Sequence, residues 1–133
     1  MGDHNSIGNA FVSHYFNTFD NFDARANLAS LYRPESMLTW EGIGLQGTQS
    51  IIERLTNPEL KVVKTQISNT DSEPSINNAI LVCVIGNLSS RGKKIDNAFD
   101  RPMTFAETFL LAPVPGQPGG FYIHNQNFRL IQF

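Results

Sequence analysis

Apolar side chains recur with helical spacing at the start of the chain. The expected inner face carries residues four apart, namely Ile7, Phe11, Tyr15 and Phe19. This spacing places all of them on one side of an α-helix. The polar pair Asp20-Asn21 ends the stretch, so the pattern predicts an N-terminal helix that buries an aromatic stripe.

Two shorter helices are predicted within residues 24–55. Residues 24–32 carry Leu and Tyr side chains on one side. This helix must end before Pro34, because a residue that precedes proline disfavours helical backbone. Residues 49–55 form the other helix, which Asn57-Pro58 ends.

Strand patterns fill most of the remaining chain. The predicted strands are residues 36–41, 60–70, 79–88, 103–112 and 121–133. One face of the fourth strand carries Phe105, Glu107, Phe109 and Leu111. Gly42 and Gly44 predict a turn after the first strand. Residues 71–78, rich in Ser, Pro and Asn, predict a turn after the second, and residues 113–120 predict a Pro/Gly hairpin loop.

The order of these elements predicts the fold class. Helices that precede four or more antiparallel strands are typical of an α+β domain, and 133 residues suffice for one such domain, 1–133. Residues 79–88 are apolar on both faces, but the helices are too few to cover both faces of a sheet. We therefore expect the helices to fill the concave side and a second copy of the chain to cover the other side in a homodimer.

Composition narrows the class of function. The net charge is −2 and charged residues make up 17% of the chain. This balance argues against nucleic acid as the main partner, since phosphate binding needs an excess of Lys and Arg. The ten Phe residues exceed what a core of this size obviously needs, so the surplus predicts a cavity, a dimer face or a partner site.

The single cysteine and the N-terminus indicate a reducing compartment. Cys83 has no intrachain partner and is expected to be a buried, reduced thiol. The first residues lack an apolar signal core, and no apolar run is long enough to span a bilayer. Gly2 with Ser6 fits a loose N-myristoylation pattern, but the acidic Asp3 is unusual in it, and acylation is left open.

Trp40 and Glu41 form the first candidate site. A Trp beside a carboxylate near a turn is often structural, with the indole in the core and the carboxylate in water. The alternative is that Trp40 lines the mouth of a pocket and Glu41 stands at its rim. Such a rim suits a partner that offers an aromatic side chain flanked by Lys or Arg.

The loop of residues 89–101 is the second candidate. Its net charge is +2, from the cations Arg91, Lys93, Lys94 and Arg101 and the carboxylates Asp96 and Asp100. A solvated hairpin end is the plain interpretation. Asp96 and Asp100 could add to a negative rim, although the neighbouring cations would weaken that field within a Debye length of about 8 Å.

A catalytic site is the third candidate. His14 or His124 could pair with Asp71 or Glu107 and abstract a proton next to a carbonyl. No motif spacing requires such a pair, and both histidines could simply pack or point outward. The chain also lacks a phosphate loop, a nucleophile elbow and a His-Glu-x-x-His motif. We therefore expect no catalysis, no cofactor and no metal.

A resemblance emerges from the order of short segments along nearly the whole chain. The matching residues are Met1-Gly2-Asp3, Ile7-Gly8, Phe11, His14-Tyr15, Phe19-Asp20-Asn21, Leu38-Thr39-Trp40-Glu41-Gly42, Gln46-Gly47, Asp71, Val84-Ile85-Gly86-Asn87-Leu88, Phe105, Thr108-Phe109-Leu110-Leu111 and Asn127-Phe128-Arg129-Leu130. In this order and spacing, the chain resembles the nuclear transport factor 2 family. Its members are small carriers that return the GTPase Ran, in its GDP form, to the nucleus.

The resemblance implies a cone-like α+β fold of the cystatin type that dimerises through its curved sheet, where Cys83 and Thr108 would lie on the dimer face. It also implies a cavity that accepts an aromatic side chain from the switch II region of Ran. Trp40 and Glu41 match the family's cavity motif directly. The remaining expected cavity and rim residues are Met103, Phe128, Asp96 and Asp100. The last two are positional candidates only, because the segment from Arg91 to Asp100 is longer and more basic than in the family.

The resemblance further implies binding to phenylalanine–glycine repeats of nucleoporins, here around Ile7, since His4 stands near the place of a Trp that helps build that surface in the family. The implied location is the cytoplasm and nucleus, with enrichment at the nuclear pore. Two alternatives stay open: a non-catalytic dimerisation module of this fold in RNA export or stress-granule assembly, and a small cone-fold isomerase or dehydratase.

Overall fold

The computed structural model describes residues 3–61, 63–90 and 103–131. The helices are α1 (His4–Asp20), α2 (Thr48–Leu55) and three 3-10 segments, Phe22–Leu31, Pro58–Leu60 and Ile76–Asn78. The strands are β1 (Met37–Trp40), β2 (Ile43–Gln46), β3 (Val63–Pro74), β4 (Ile80–Ser90), β5 (Met103–Pro113) and β6 (Phe121–Ile131). The predicted α+β class is confirmed.

Helix α1 buries the aromatic stripe that its periodicity predicts. Tyr15 and Phe19 are buried, and Ile7 and Phe11 are partly buried against the core. The ring centroids of Phe11 and Tyr15 lie 4.9 and 5.0 Å from that of Phe109 in β5. The helix therefore lies against the concave side of the sheet, and its predicted end at Asp20 is confirmed.

The second helix differs from the prediction of residues 24–32. It is a 3-10 helix that begins at Phe22 and ends at Leu31. Asn21 alone separates it from α1, and the Ala24 N–H donates to the Asn21 carbonyl at 2.9 Å. The chain thus re-enters a tight helical turn at once, and a stretch of this length carries too little periodicity to distinguish 3-10 from α backbone. The predicted helix over residues 49–55 is confirmed as α2.

The strands form one curved, open sheet in the order β2-β1-β6-β5-β4-β3. The four long strands β3 to β6 pair antiparallel, as predicted, but β1 runs parallel to β6. The sheet is therefore mixed. The parallel register places Trp40 beside Phe128.

The predicted turn at Gly42 and Gly44 is wrong in part. The reversal uses only Glu41 and Gly42, whose φ angles are +50° and +86°, and two successive positive φ angles are typical of tight hairpins. Gly44 lies inside β2, opposite Thr39. The glycines in and beside this four-residue edge strand are typical of a turn, so the strand was not predicted.

Strand β3 is longer than predicted. It continues to Pro74, so most of the predicted turn at residues 71–78 is strand or 3-10 helix. Asp71 pairs with Cys83 across the ladder. The polar side chains of this edge strand are mostly exposed, which explains why its composition is that of a turn.

The outer face of β4 is bare in the single chain. Val82 and Val84 are buried on the inner face, whereas Cys83 is exposed and Ile85 is 40% exposed on the outer face. The expectation of a buried thiol at Cys83 is therefore wrong for one chain, because alternate residues of a strand point to opposite faces. Thr108 is the register partner of Cys83.

Within the three described ranges, no helix combines the length and the apolar character that crossing a membrane requires.

Candidate functional site: an aromatic cavity beside Trp40

An aromatic stack stands where β1 lies next to β6. The rings of Trp40 and Phe128 are 4.1 Å apart with an interplanar angle of 13°. Phe105 of β5 continues the stack at 5.6 Å from Phe128. Trp40 is only 7% exposed, so the indole is packed almost completely.

This stack forms part of the wall of a cavity between the helices and the sheet. The lining residues are Tyr15, Phe16, Phe19, Trp40, Leu60, Val63, Thr65, Leu88, Phe105, Glu107 and Phe128. Only about 10 Å³ of the cavity can be reached by the centre of a water molecule, which is room for about one water. The site is thus a narrow, largely aromatic cavity.

Glu41 is held beside the stack by two backbone contacts. Its carboxylate accepts a hydrogen bond from the Leu130 N–H, and its own N–H donates to the Phe128 carbonyl at 3.0 Å. The side chain is partly exposed. The hairpin turn therefore fixes a carboxylate on the β6 side of Trp40, at the surface.

The structure brings some of the expected site residues together and leaves others apart. Met103 begins β5, partly buried and paired with Leu88, and does not belong to the described cavity lining. Asp96, Asp100 and Gly2 lie outside the described residues, as does the segment from Arg91 to Asp100. Ile7 lies on α1, partly buried, and is not part of the cavity lining that the structure describes.

Arg54 is a contact of this site that sequence analysis missed. Its guanidinium carbon lies 5.3 Å from the centroid of the Trp40 ring. Arg54 is in the last turn of α2, fourteen positions beyond Trp40 in the sequence, and no motif joins the two. A cation in the last turn of a helix is common, because it is favoured by the helix dipole, so its presence in the sequence did not indicate a contact with Trp40.

A buried polar network lies under the cavity. The Gln126 side-chain amide donates to the Glu107 carboxyl at 2.5 Å and to the Tyr15 hydroxyl at 2.9 Å, and the Tyr32 hydroxyl donates to the Gln126 side-chain oxygen at 2.6 Å. Burial raises the pKa of Tyr15 and Tyr32. It also raises the pKa of Glu107 from 4.5 to about 8, against the opposing effect of the Gln126 hydrogen bond. At neutral pH Glu107 is therefore mostly an uncharged carboxylic acid.

Glu107 makes the stability of the fold depend on pH. Between about pH 4.5 and 8 the folded chain holds this proton and the unfolded chain has lost it, so the free energy of unfolding falls as pH rises through that window. Glu107→Gln is similar in size and uncharged at every pH. We expect the stability of the variant relative to the unmodified chain to increase between pH 5 and 8, by more than about 1 kcal/mol.

Urea unfolding at several pH values tests this expectation. Asp20, whose pKa burial also raises, is present in both chains, so its effect cancels in the comparison. Parallel pH profiles for the two chains would show that Glu107 is ionised in the folded state as well.

No histidine is paired with Asp71 or Glu107 in the described part of the chain, so the predicted proton-abstracting pair is not formed there. His14 is exposed on α1, and His124 Nδ1 lies 3.0 Å from the Tyr122 hydroxyl. Glu107 contacts Gln126, and Asp71 is exposed on β3. Nor do the described residues contain a group of three or more His, Cys, Asp or Glu side chains arranged to hold a metal ion.

Fold and site together define an α+β protein of the cystatin-like class, in which a curved sheet and an N-terminal helix enclose an aromatic cavity. The model of the family described as "Nuclear transport factor 2 (NTF2) domain" matches residues 7–130. The chain belongs to this family, and the predicted family resemblance is confirmed.

Several proteins of this family align with the chain over nearly their full length. Nuclear transport factor 2 of Emericella nidulans is 41% identical over 132 residues, which cover 98% of each chain. Nuclear transport factor 2B of Arabidopsis thaliana is 40% identical over 129 residues, covering 96% of this chain and 94% of the relative. The solved structure of Ntf2 from Cryptosporidium parvum superposes with a TM-score of 0.81 at 35% identity, covering 96% of this chain and 94% of that one. The names of these relatives support a role in protein transport and nuclear import for this chain. They also imply that it is a nucleocytoplasmic protein.

More distant structures share the fold alone. A putative scytalone dehydratase from Novosphingobium aromaticivorans superposes with a TM-score of 0.73 at 14% identity, covering 99% of this chain and 89% of that one. The fold therefore does not determine the function, which has to be inferred from the residues of the site.

Proposed function

We propose that this chain is a carrier that binds the GDP form of Ran and takes it through the nuclear pore, without catalysis and as one domain spanning residues 1–133. The observation that carries the proposal is the pairing of Trp40, stacked on Phe128, with the Glu41 carboxylate fixed beside it. This pairing occurs in a chain of the nuclear transport factor 2 family.

The chemistry of the cavity favours an aromatic side chain of the partner. The rings of Trp40, Phe128 and Phe105 form an aromatic wall against which another ring can pack. Glu41 offers a partly exposed carboxylate to a Lys or Arg next to that ring. Because the cavity has room for about one water, entry of a ring requires these side chains to move, as interface side chains commonly do on binding.

The proposed rim also includes Met103, Asp96 and Asp100. Met103 lies on the same face of β5 as Phe105, at the start of the strand. Asp96 and Asp100 lie outside the described residues. We propose all three as contacts of Ran, with recognition of GDP arising from the conformation of the partner's switch II region.

The bare outer face of the sheet supports a homodimer. The groove on this face has a volume of about 460 Å³ and is lined by Met37, Thr39, Ser75, Leu81, Thr108, Leu110, Asn125, Gln126 and Asn127. Cys83 lies beside Thr108 on the same face. Partly apolar faces of this kind are usually covered, and a second copy of the chain is the economical cover.

The proposed carrier also binds phenylalanine–glycine repeats, with Ile7 of α1 as the candidate contact. A carrier with both activities would be found in the cytoplasm and nucleus and would be enriched at the pore. The competing proposal is a dimerisation module of the same fold in RNA export or stress-granule assembly, which would bind repeats or scaffold proteins and not Ran.

A nucleotide-dependent binding assay tests the proposed function. The full chain is immobilised and offered Ran loaded with GDP, Ran loaded with a GTP analogue, or a phenylalanine–glycine peptide. Selective capture of the GDP form supports a Ran carrier. Capture of the peptide alone favours the dimerisation module, and equal capture of both nucleotide forms contradicts the proposed discrimination. Light scattering of the same sample measures whether the chain is a dimer.

A further inference from the structure

The indole of Trp40 is contacted on two sides. Phe128 covers one face of the ring at 4.1 Å, so the Arg54 guanidinium, 5.3 Å from the centroid, lies over the other face. A cation over an indole face is attracted by the negative potential of the ring. Arg54 reaches this position from the last turn of α2, where the helix dipole also favours a positive charge.

The charge of Arg54 is not neutralised within the described residues. The ion pairs found there join His4 to Asp3 and Arg33 to Glu35. Arg54 Nε is buried and has no hydrogen-bond partner in the described part of the chain. A buried guanidinium donor without an acceptor is costly. Because Arg54 as a whole is only partly buried, a carboxylate of a partner can remove that cost once the side chains around Trp40 move to admit the partner.

Arg54 and Glu41 lie on different sides of Trp40. The Glu41 carboxylate is bound to the backbone of β6, whereas Arg54 belongs to α2, which contacts β2. Ile43, the register partner of Trp40 in β2, is 63% exposed and extends the apolar surface on that second side. Arg129 also lies near this region, but it alternates with Phe128 along β6 and therefore projects from the opposite face of the sheet.

We propose that Arg54 is a specificity-determining residue of the cavity mouth, where it pairs with a carboxylate that lies beside the inserted aromatic residue of the partner. This inference rests on the proposed function and deepens it. The recognised segment then carries a cation for Glu41 on one side of the aromatic residue and an acidic side chain for Arg54 on the other. Arg is well suited to this task because its planar guanidinium can stack on Trp40 and bind a carboxylate at the same time.

Affinity for Ran·GDP, measured by titration calorimetry at several salt concentrations, tests this pairing. Arg54→Met keeps an apolar side chain on Trp40 and removes the charge. We expect its dissociation constant to rise about tenfold or more, since hydrogen bonds to charged groups contribute strongly. We also expect its affinity to depend less on salt than that of the unmodified chain, because one charge pair is lost.

Arg33→Met is the matched control. Arg33 also stacks on an aromatic ring, that of Tyr122 at 5.2 Å, but its charge is already paired with Glu35, so both the affinity and its salt dependence should stay unchanged. If the unmodified chain does not bind Ran·GDP, the proposed function itself fails. If it binds and Arg54→Met binds within about twofold of it, Arg54 is not a specificity residue. A loss of affinity with an unchanged salt dependence would show that Arg54 only supports Trp40, which also overturns the inference.

Discussion

Replacing Glu41 by Lys is expected to abolish the binding of Ran·GDP while leaving the fold and the proposed dimer intact. The partly exposed carboxylate is fixed beside Trp40 by the Leu130 N–H. Reversal of its charge removes an attraction to a partner cation and adds a repulsion. Removing one member of such a pair costs roughly 2–5 kcal/mol. We therefore expect an affinity loss of at least about 100-fold, measured by titration calorimetry or pull-down.

Glu41→Gln is the control that separates the charge from the structural hydrogen bond. Its amide oxygen can still accept from the Leu130 N–H, so the turn at residues 41–42 should be preserved. We expect an intermediate affinity for Gln and unchanged circular dichroism for both variants. Normal binding by a folded Glu41→Lys variant would show that the carboxylate is not at the interface.

Replacing Arg25 by Met is expected to lower the free energy of unfolding by about 3 kcal/mol or more. Arg25 is fully buried, and its guanidinium donates to the carbonyls of Phe19 at 2.6 Å, Leu55 at 3.1 Å and Leu60 at 3.0 Å. Burial lowers its pKa to about 10, so it stays charged at neutral pH. Met would fill much of the space and leave the carbonyls without this donor.

Urea unfolding followed by Trp40 fluorescence measures this effect. The protein concentration is held constant, because association would make the stability depend on it. Arg25→Lys keeps a charge but cannot reach all three carbonyls with a planar group, so we expect an intermediate loss. A change of less than about 1 kcal/mol for Met would show that water or other groups readily replace the guanidinium.

Arg25 also illustrates what tertiary structure adds to the site. Its three acceptors belong to the end of α1, the end of α2 and the 3-10 helix at Pro58–Leu60. The Leu60 side chain lines the cavity, so this cation joins the helical segments that close the cavity on one side. Arg is seldom fully buried, and Arg25 is buried because three helix ends converge to supply its acceptors.

The polar network under the cavity could be predicted only in part. The alternation of β5 placed Glu107 on the same face as Phe105 and Phe109, and that face is buried. The hydrogen bonds of this network could not be predicted, because Gln126 reaches Glu107, and Tyr32 reaches Gln126, from distant parts of the chain. Side-chain hydrogen bonds across strands depend on register, which composition does not reveal.

The aromatic site could also be predicted only in part. Trp40 and Glu41 stood out because adjacent aromatic and acidic residues near a turn are informative even without a structure. Their relation to Phe128 required the parallel pairing of β1 with β6, whereas the sequence pattern predicted antiparallel strands. Arg54 could not be found from the sequence, since nothing in α2 points to Trp40.

Family membership, the aromatic stripe of α1 and the long strands β4, β5 and β6 were predictable, because they depend on local periodicity and on the order of short motifs. The folded chain was needed to see that β2 is a strand, that Cys83 is exposed in the single chain, and that Arg54 stacks on Trp40. The pairing of β2 with β1 and the contact of Arg54 with Trp40 join segments close in the chain but leave no periodic pattern in it, and the exposure of Cys83 depends on which elements cover each face of the sheet. The surplus of Phe thereby acquires definite places, against α1, in the stack beside Trp40 and around the cavity.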